Sequence, residues 1–158
     1  MSEASVRAFL AEHAPDVTII DQGLSTATVA EAAQALGVEP ARIAKTLSLR
    51  VGEKVVLVCA RGDARLHNAK AKAALGAKPR MLGGHEVEEL TGHPVGGVCP
   101  FGLPTPLPVY CDISLQAFAT VFPAAGSRTT SVELTPDRLA ALTGASWVDI
   151  CTLPQEVS

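Results

Sequence analysis

The sequence has 158 residues, a formal net charge of -3, 47% hydrophobic residues and 18% charged residues. This length fits one domain, and the apolar content is sufficient for a core and argues against intrinsic disorder. Because no segment approaches the roughly 18 uncharged apolar residues of a membrane span, and the N-terminus lacks the pattern of a secretion signal, we expect one soluble cytoplasmic domain, 1–158, with neither membrane nor DNA as partner.

The first part of the chain predicts two helices and a hairpin. Pro15 ends the first helical pattern. Thr28 and Glu31 have the spacing of a capping box, and Gly37 suits the left-handed residue that closes a helix. The predicted elements are, in order, a helix at 2–13, a strand at 17–21, a helix at 29–37 and the two strands of a hairpin, 43–51 and 55–60.

The second part mixes strands and helices without a regular alternation. Its predicted elements are a helix at 68–75, a strand at 78–82, a helix at 85–91, a loop at 92–108, strands at 109–113, 120–125 and 129–134, a helix from Pro136 to Gly144 and a last strand at 146–151. The loop is too rich in proline and glycine for a regular element. This order predicts an α+β fold with a mixed, strongly curved, barrel-like sheet surrounded by helices.

Lys45 lies in an apolar strand, where alternation sets it on the same face as Leu47 and Leu49. Lysine is almost never fully buried without a partner. The residue is therefore either a snorkelling lysine near the sheet edge or a functional group.

The segment Gly96–Gly97–Val98–Cys99–Pro100–Phe101–Gly102 is a second candidate. Glycine lets a backbone approach a ligand and proline fixes a local conformation, so such a loop can direct amide N–H groups at an anion or carbonyl. The same composition also suits a plain connection between elements.

The four cysteines are Cys59, Cys99, Cys111 and Cys151, and their spacing is not that of a zinc site. We expect no metal and no cofactor. Cys59 and Cys151 lie in apolar runs and are expected in the core. Cys99, in the loop, is either a small packing residue or a nucleophile, and His85 and His93 are its nearest histidines in sequence.

One segment is strongly basic although the protein is acidic. With Asp63 as its single acid, it contains Arg61, Arg65, Lys70, Lys72, Lys78 and Arg80. These side chains either contact phosphate or keep an alanine-rich helix soluble.

The order of three segments resembles the YbaK/EbsC family, which is related to the editing insertion domain of bacterial prolyl-tRNA synthetase and includes free-standing trans-editing proteins. The segments are IAKTL, VCARGDARLHNAKAKAALGAK and TGHPVGGVCPFG, followed by a strand and a terminal helix and strand. The resemblance covers roughly residues 25–150.

The resemblance implies the fold of that family and hydrolytic deacylation of mischarged aminoacyl-tRNA carrying a small amino acid. Lys45 matches the essential lysine and would position the substrate. Gly96, Gly97 and Pro100 match the catalytic loop, whose backbone would stabilise the carbonyl or oxyanion. We further expect substrate binding by Thr26, Thr46, Val98, Cys99, Phe101 and Ser127, and tRNA binding through the basic segment by Arg61, Arg65, Lys70 and Lys72.

The expected partners are the acceptor end of an aminoacyl-tRNA and an aminoacyl-tRNA synthetase. Threonines and a serine in the pocket would favour a serine or threonine substrate, since unpaired buried polar groups penalise a ligand that lacks the matching group. Two alternative functions stay open. One is a non-catalytic module that binds aminoacyl-tRNA or amino acids beside a synthetase, and the other is a cysteine-dependent esterase.

Overall fold

The computed structural model describes residues 2–154. The helices are α1 (Ser2–His13), α2 (Val29–Leu36), α3 (Asn68–Leu75), α4 (Gly84–Thr91) and α5 (Pro136–Thr143). The strands are β1 (Ile20–Asp21), β2 (Ile43–Val51), β3 (Lys54–Arg61), β4 (Arg65–Leu66), β5 (Arg80–Met81), β6 (Val109–Asp112), β7 (Phe122–Pro123), β8 (Thr130–Ser131), β9 (Ser146–Val148) and β10 (Cys151–Thr152). Short 3-10 helices occupy Pro40–Arg42 and Ile113–Ala117.

The predicted helix ends are confirmed. The Thr28 hydroxyl accepts a hydrogen bond from the Glu31 amide at 3.1 Å, and α2 stops at Gly37, whose φ is 69°. The Thr135 hydroxyl accepts from the Arg138 amide at 3.1 Å in the same way. These caps use the free amides at each helix start, so the local sequence determines where the helices begin.

The main sheet is mixed and has the order β5-β2-β3-β6-β9, with β7 also paired to β2. The hairpin β2–β3 is antiparallel and central, as predicted, and β6 and β9 are added in parallel. Two small ladders, β1–β8 and β4–β10, lie apart from it.

The expectation of a barrel-like sheet is wrong. Within the described residues, β9 at one edge pairs with neither β5 nor β7 at the other. The outer edge of β2 is divided between β7, which pairs near Ile43, and β5, which pairs near Leu49. The sheet therefore stays open.

The last predicted strand, 146–151, is interrupted. Ser146–Val148 pairs with β6, whereas Cys151–Thr152 pairs with β4. Between these two strands the Ile150 amide donates to the Asp112 carboxylate at 2.8 Å. A side chain therefore accepts the hydrogen bond at the point where the chain leaves β6 and begins to pair with β4.

The two faces of the β2–β3 hairpin pack into different hydrophobic clusters. Leu57 and Cys59 belong to the cluster that also contains parts of α1 and α5. Leu49 and Val58 belong to the cluster with Ala64 and Ala71. Alternation along the strands thus separates the two faces, as expected for a strand buried on both sides.

Within the described residues, no helix combines the length and apolar character needed to cross a membrane. The predicted domain, 1–158, extends over residue 1 and residues 155–158, which lie outside the described residues.

Candidate functional site

A cavity of about 280 Å³ lies between α2, β2, the start of α4 and the loop 92–108. It follows β2 from Ile43 to Ser48, which corresponds to about 16 Å of strand. The loop contributes Val95, Gly96 and Val98 to its wall. The cavity therefore brings together the strand and the loop that the sequence singled out.

One end of the cavity is enclosed. Ala32, Ile43 and Phe122 form a buried apolar cluster there and line the wall. Thr26 and Ser131, which are also buried, add hydroxyl groups to this wall. The wall at this end therefore consists of buried, mostly apolar side chains with two hydroxyl groups among them.

The other end is open and mostly apolar. Leu82 and Val87 form its buried floor together with the buried Ser48, whereas Met81 is 62% exposed and Val95 is 52% exposed. The two ends therefore differ in access.

Lys45 lines the cavity and shares its strand face with Leu47 and Leu49, as alternation predicts. Its Nζ donates to the carbonyl of Gly62 at 3.2 Å and to the carbonyl of Ala64. Burial lowers the pKa of the ammonium from its usual value, and this effect outweighs the opposing charge of Asp63. The half-buried ammonium is held by two carbonyls, which leaves it one further N–H donor.

Gly62 is a residue that the sequence reasoning missed. A Cβ at this position would lie 2.1 Å from the Pro40 carbonyl oxygen and 2.9 Å from Val29 Cγ1. Val29 also lines the cavity, so the turn that holds Lys45 packs directly against the cavity wall. A glycine immediately after a buried strand is the sequence signal that could have identified it.

The turn that carries Gly62 is fixed by an ion pair. Arg61 Nε and Asp63 Oδ1 are 2.6 Å apart, and a second guanidinium nitrogen lies 3.0 Å from Oδ2. The Arg61 guanidinium also lies over the Phe118 ring. Such bidentate geometry is the strong form of this contact, so the carbonyls around Lys45 have a rigid support.

The residues of the loop occupy different positions relative to the cavity. Gly96 lines the cavity with a φ of 92°, and a Cβ there would lie 2.9 Å from Ala27 Cβ. Gly97 is buried against Ser127 instead, and its amide donates to the Pro94 carbonyl at 2.9 Å. Pro100 is buried and has no amide hydrogen. The loop residues on the cavity wall are therefore Val95, Gly96 and Val98, and the amides of Gly96 and Val98 are the candidate donors there.

We predict that Gly97→Ala lowers the free energy of unfolding by about 1–3 kcal/mol, because a Cβ would lie 2.8 Å from the Ser127 backbone. Thermal and urea unfolding would measure the change. Gly83→Ala is the matched control, since nothing lies within 4 Å of its Cβ position and its φ is not positive. Equal stability of the two variants would contradict the close packing of the loop on Ser127.

Cys99 and Phe101 are fully buried in the core and do not line the cavity. Burial raises the pKa of the Cys99 thiol to about 12, so the thiolate is absent at neutral pH. Cys99 Sγ lies 3.6 Å from His93 Nε2, but this nitrogen is 2.7 Å from the Phe101 carbonyl, which can only accept. Nε2 therefore carries its proton and cannot take one from the thiol, which argues against a cysteine nucleophile.

The three predicted hydroxyl residues have different positions. Thr26 and Thr46 line the cavity, with the Thr26 hydroxyl donating to the Arg128 carbonyl at 3.1 Å. Ser127 does not line it, and its hydroxyl lies 2.7 Å from that of Thr130. Ser131 lines the cavity and was not predicted.

The basic residues divide into paired and exposed groups. Arg61 is engaged with Asp63, and Lys70 Nζ lies 3.2 Å from a carboxylate oxygen of Asp149. The exposed members of the predicted set are Arg65, Lys72, Lys78 and Arg80. Among residues 2–154, no cluster of three or more histidine, cysteine, aspartate or glutamate side chains could hold a metal ion.

Comparison with known proteins adds independent information. A family model described as an aminoacyl-tRNA editing domain matches residues 25–142. The chain is 46% identical to the uncharacterised protein YwhH of Bacillus subtilis, over 96% of this chain and 98% of that protein. It is 35% identical to EbsC of Enterococcus faecalis, named as a candidate deacylase of Cys-tRNA(Pro) and Cys-tRNA(Cys), over 82% of this chain and 78% of that protein.

A solved structure described as a candidate trans-editing enzyme for prolyl-tRNA synthetase is also similar. It superimposes with a TM-score of 0.88 at 36% identity, and the match covers 96% of this chain and 97% of that chain. These similarities confirm the resemblance that the sequence motifs indicated.

Proposed function

Because this chain belongs to the aminoacyl-tRNA editing domain family, we propose that it hydrolyses the ester bond between a small, wrongly attached amino acid and tRNA, acting as a free-standing protein. The main support is that Lys45 and Gly96, from separate segments, meet on the wall of one cavity with an enclosed end. The similarity to a candidate trans-editing enzyme over nearly the whole chain supports action in trans.

The reaction adds water to the acyl carbon of the ester. The resulting tetrahedral oxyanion then expels the ribose oxygen, which takes up the proton that the attacking water has lost, and the free amino acid and tRNA are released. The amides of Gly96 and Val98 would stabilise the oxyanion, since preorganised donors at developing charge are worth about 100-fold to 1000-fold each. Gly97 and Pro100 would support this loop rather than donate to substrate.

Lys45 would bind the substrate carbonyl or the terminal phosphate through its remaining N–H donor. Its other donors are taken by the carbonyls of Gly62 and Ala64, which fix the ammonium in position. A point charge held in this way positions substrate at little further entropic cost.

The enclosed end of the cavity would select the amino acid. Thr26 and Ser131 provide hydroxyls on a wall that is otherwise apolar, and Thr46 adds another nearby. The Thr26 hydroxyl donates its proton to the Arg128 carbonyl and keeps lone pairs that can accept a hydrogen bond from a substrate hydroxyl. Serine and threonine are therefore favoured over alanine.

The proposal is tested by incubating the purified protein with tRNAs mischarged with serine, threonine, alanine or cysteine. We expect deacylation of at least one of these well above the spontaneous rate, with serine or threonine released fastest. Binding of these tRNAs without release of any amino acid would contradict the proposal and favour a binding module.

Exposed basic side chains of the segment that follows β3 would contact the acceptor end. If two or three phosphates are neutralised, the slope of log affinity against log salt should be about -2.

We predict that Lys72→Gln raises the Michaelis constant for aminoacyl-tRNA and flattens the slope of log affinity against log salt by about 0.7. Lys54→Gln, an exposed change at the opposite end of β3 from Arg61, is the control and should keep the parental slope. A parental slope for Lys72→Gln would mean that this lysine only solubilises α3.

A further inference from the structure

The open end of the cavity carries an unusual concentration of exposed apolar surface. In the described part of the chain, the large hydrophobic side chains that are exposed are Leu24, Met81, Val95 and Ile113. Met81 and Val95 both line the cavity, where they flank the buried floor formed by Leu82 and Val87. Exposed apolar groups grouped at a cavity opening indicate a binding surface.

Both side chains are held by well-defined backbone contacts. Met81 is in β5, paired with Leu49 of β2. The Val95 carbonyl accepts a hydrogen bond from Arg128 Nε at 2.8 Å, and Val95 Cγ2 lies 3.4 Å from the Cβ position of Gly84. The opening is therefore preformed, so little order has to be created on binding.

A guanidinium group borders this apolar opening. Arg128 is exposed, and its Nε donates to the Val95 carbonyl. Within residues 2–154, Arg128 forms no ion pair. An apolar clamp bordered by an unpaired cation matches a nucleotide, which joins a flat apolar base to an anionic phosphate.

We propose that Met81 and Val95 clamp the terminal nucleobase of the RNA substrate, while the acyl group occupies the enclosed end of the same cavity. This inference rests on the proposed deacylase function. About 16 Å of strand separates the ends of the cavity, enough for the acyl group and the nucleoside to lie along β2. A methionine thioether makes favourable contacts with aromatic rings, which suits Met81 to this role.

The test compares aminoacyl-tRNA with an aminoacyl ethyl ester, which has the same acyl group and no base. We expect Met81→Ala to raise the Michaelis constant for aminoacyl-tRNA about fivefold to tenfold with kcat little changed, and to leave hydrolysis of the ethyl ester unaltered. Met81→Phe should keep or lower the Michaelis constant, because an aromatic ring stacks on a base. Ile113→Ala changes another exposed apolar side chain, outside the cavity lining, and should behave as the parent.

An unchanged Michaelis constant in Met81→Ala would overturn the clamp, and so would equal losses on both substrates, which would place Met81 at the acyl group. These outcomes leave the proposed function intact, since the parent protein would still deacylate tRNA.

If the parent deacylates nothing, the proposed function fails, and the clamp is tested by two separate NMR titrations, one with adenosine 5′-monophosphate and one with ribose 5-phosphate, which lacks the base. Shifts of the Met81 and Val95 methyl signals with adenosine 5′-monophosphate and not with ribose 5-phosphate would support the clamp. Absence of these shifts would overturn it.

Discussion

Lys45→Ala is expected to reduce the rate of deacylation by about 100-fold or more while the fold is retained. The ammonium is half-buried and fixed by the carbonyls of Gly62 and Ala64, so its charge is placed beside the cavity at a defined position. Single-turnover deacylation of a mischarged tRNA would measure the loss.

The stability of this variant follows from opposing effects. Removing the lysine leaves carbonyls without their donor, which costs about 1–3 kcal/mol, but it also removes a charge whose burial is unfavourable, as its lowered pKa shows. The variant should therefore unfold close to the parent. Lys54→Ala is the matched control, being an exposed lysine of β3 outside the cavity lining. Full activity of Lys45→Ala would contradict the role assigned to the ammonium.

Gly62→Ala is expected to lower both stability and activity. A Cβ would lie 2.1 Å from the Pro40 carbonyl oxygen, and backbone can relieve such a contact only by moving. Overpacking of this kind costs about 1–3 kcal/mol or more. The same movement would displace the Gly62 carbonyl from Lys45 and should reduce deacylation beyond the loss of folded protein.

The measurement for Gly62→Ala combines urea unfolding with deacylation at a temperature where the variant is fully folded. Gly83→Ala provides the comparison, because its Cβ position is open and its φ is -67°. A folded Gly62→Ala protein with parental kinetics would show that the turn does not position Lys45.

Much of the fold follows from local sequence. Helix caps at Thr28 and Thr135 and closing glycines at Gly37 and Gly144 act within a few residues, so their geometry can be inferred without the tertiary structure. The central hairpin is equally local, since its strands are joined by a short turn. These elements were predicted and are confirmed.

Features that depend on distant segments could not be predicted in the same way. The partners of Lys45 come from the turn after β3, and the packing of Gly97 on Ser127 joins residues thirty positions apart in sequence. The open sheet has the same origin, because the division of the β2 edge between β5 and β7 is a long-range pairing. The motif identified the loop, but only the tertiary structure separates Gly96 on the cavity wall from Gly97 behind it.

The most direct test of the proposed site is a crystal structure with an aminoacyl-adenosine in which an amide replaces the hydrolysable ester. We expect the acyl side chain at the enclosed end beside Ala32 and Phe122, and the carbonyl oxygen within about 3 Å of the Gly96 or Val98 amide. Binding outside this cavity, or a carbonyl directed away from both the loop amides and Lys45, would contradict the account.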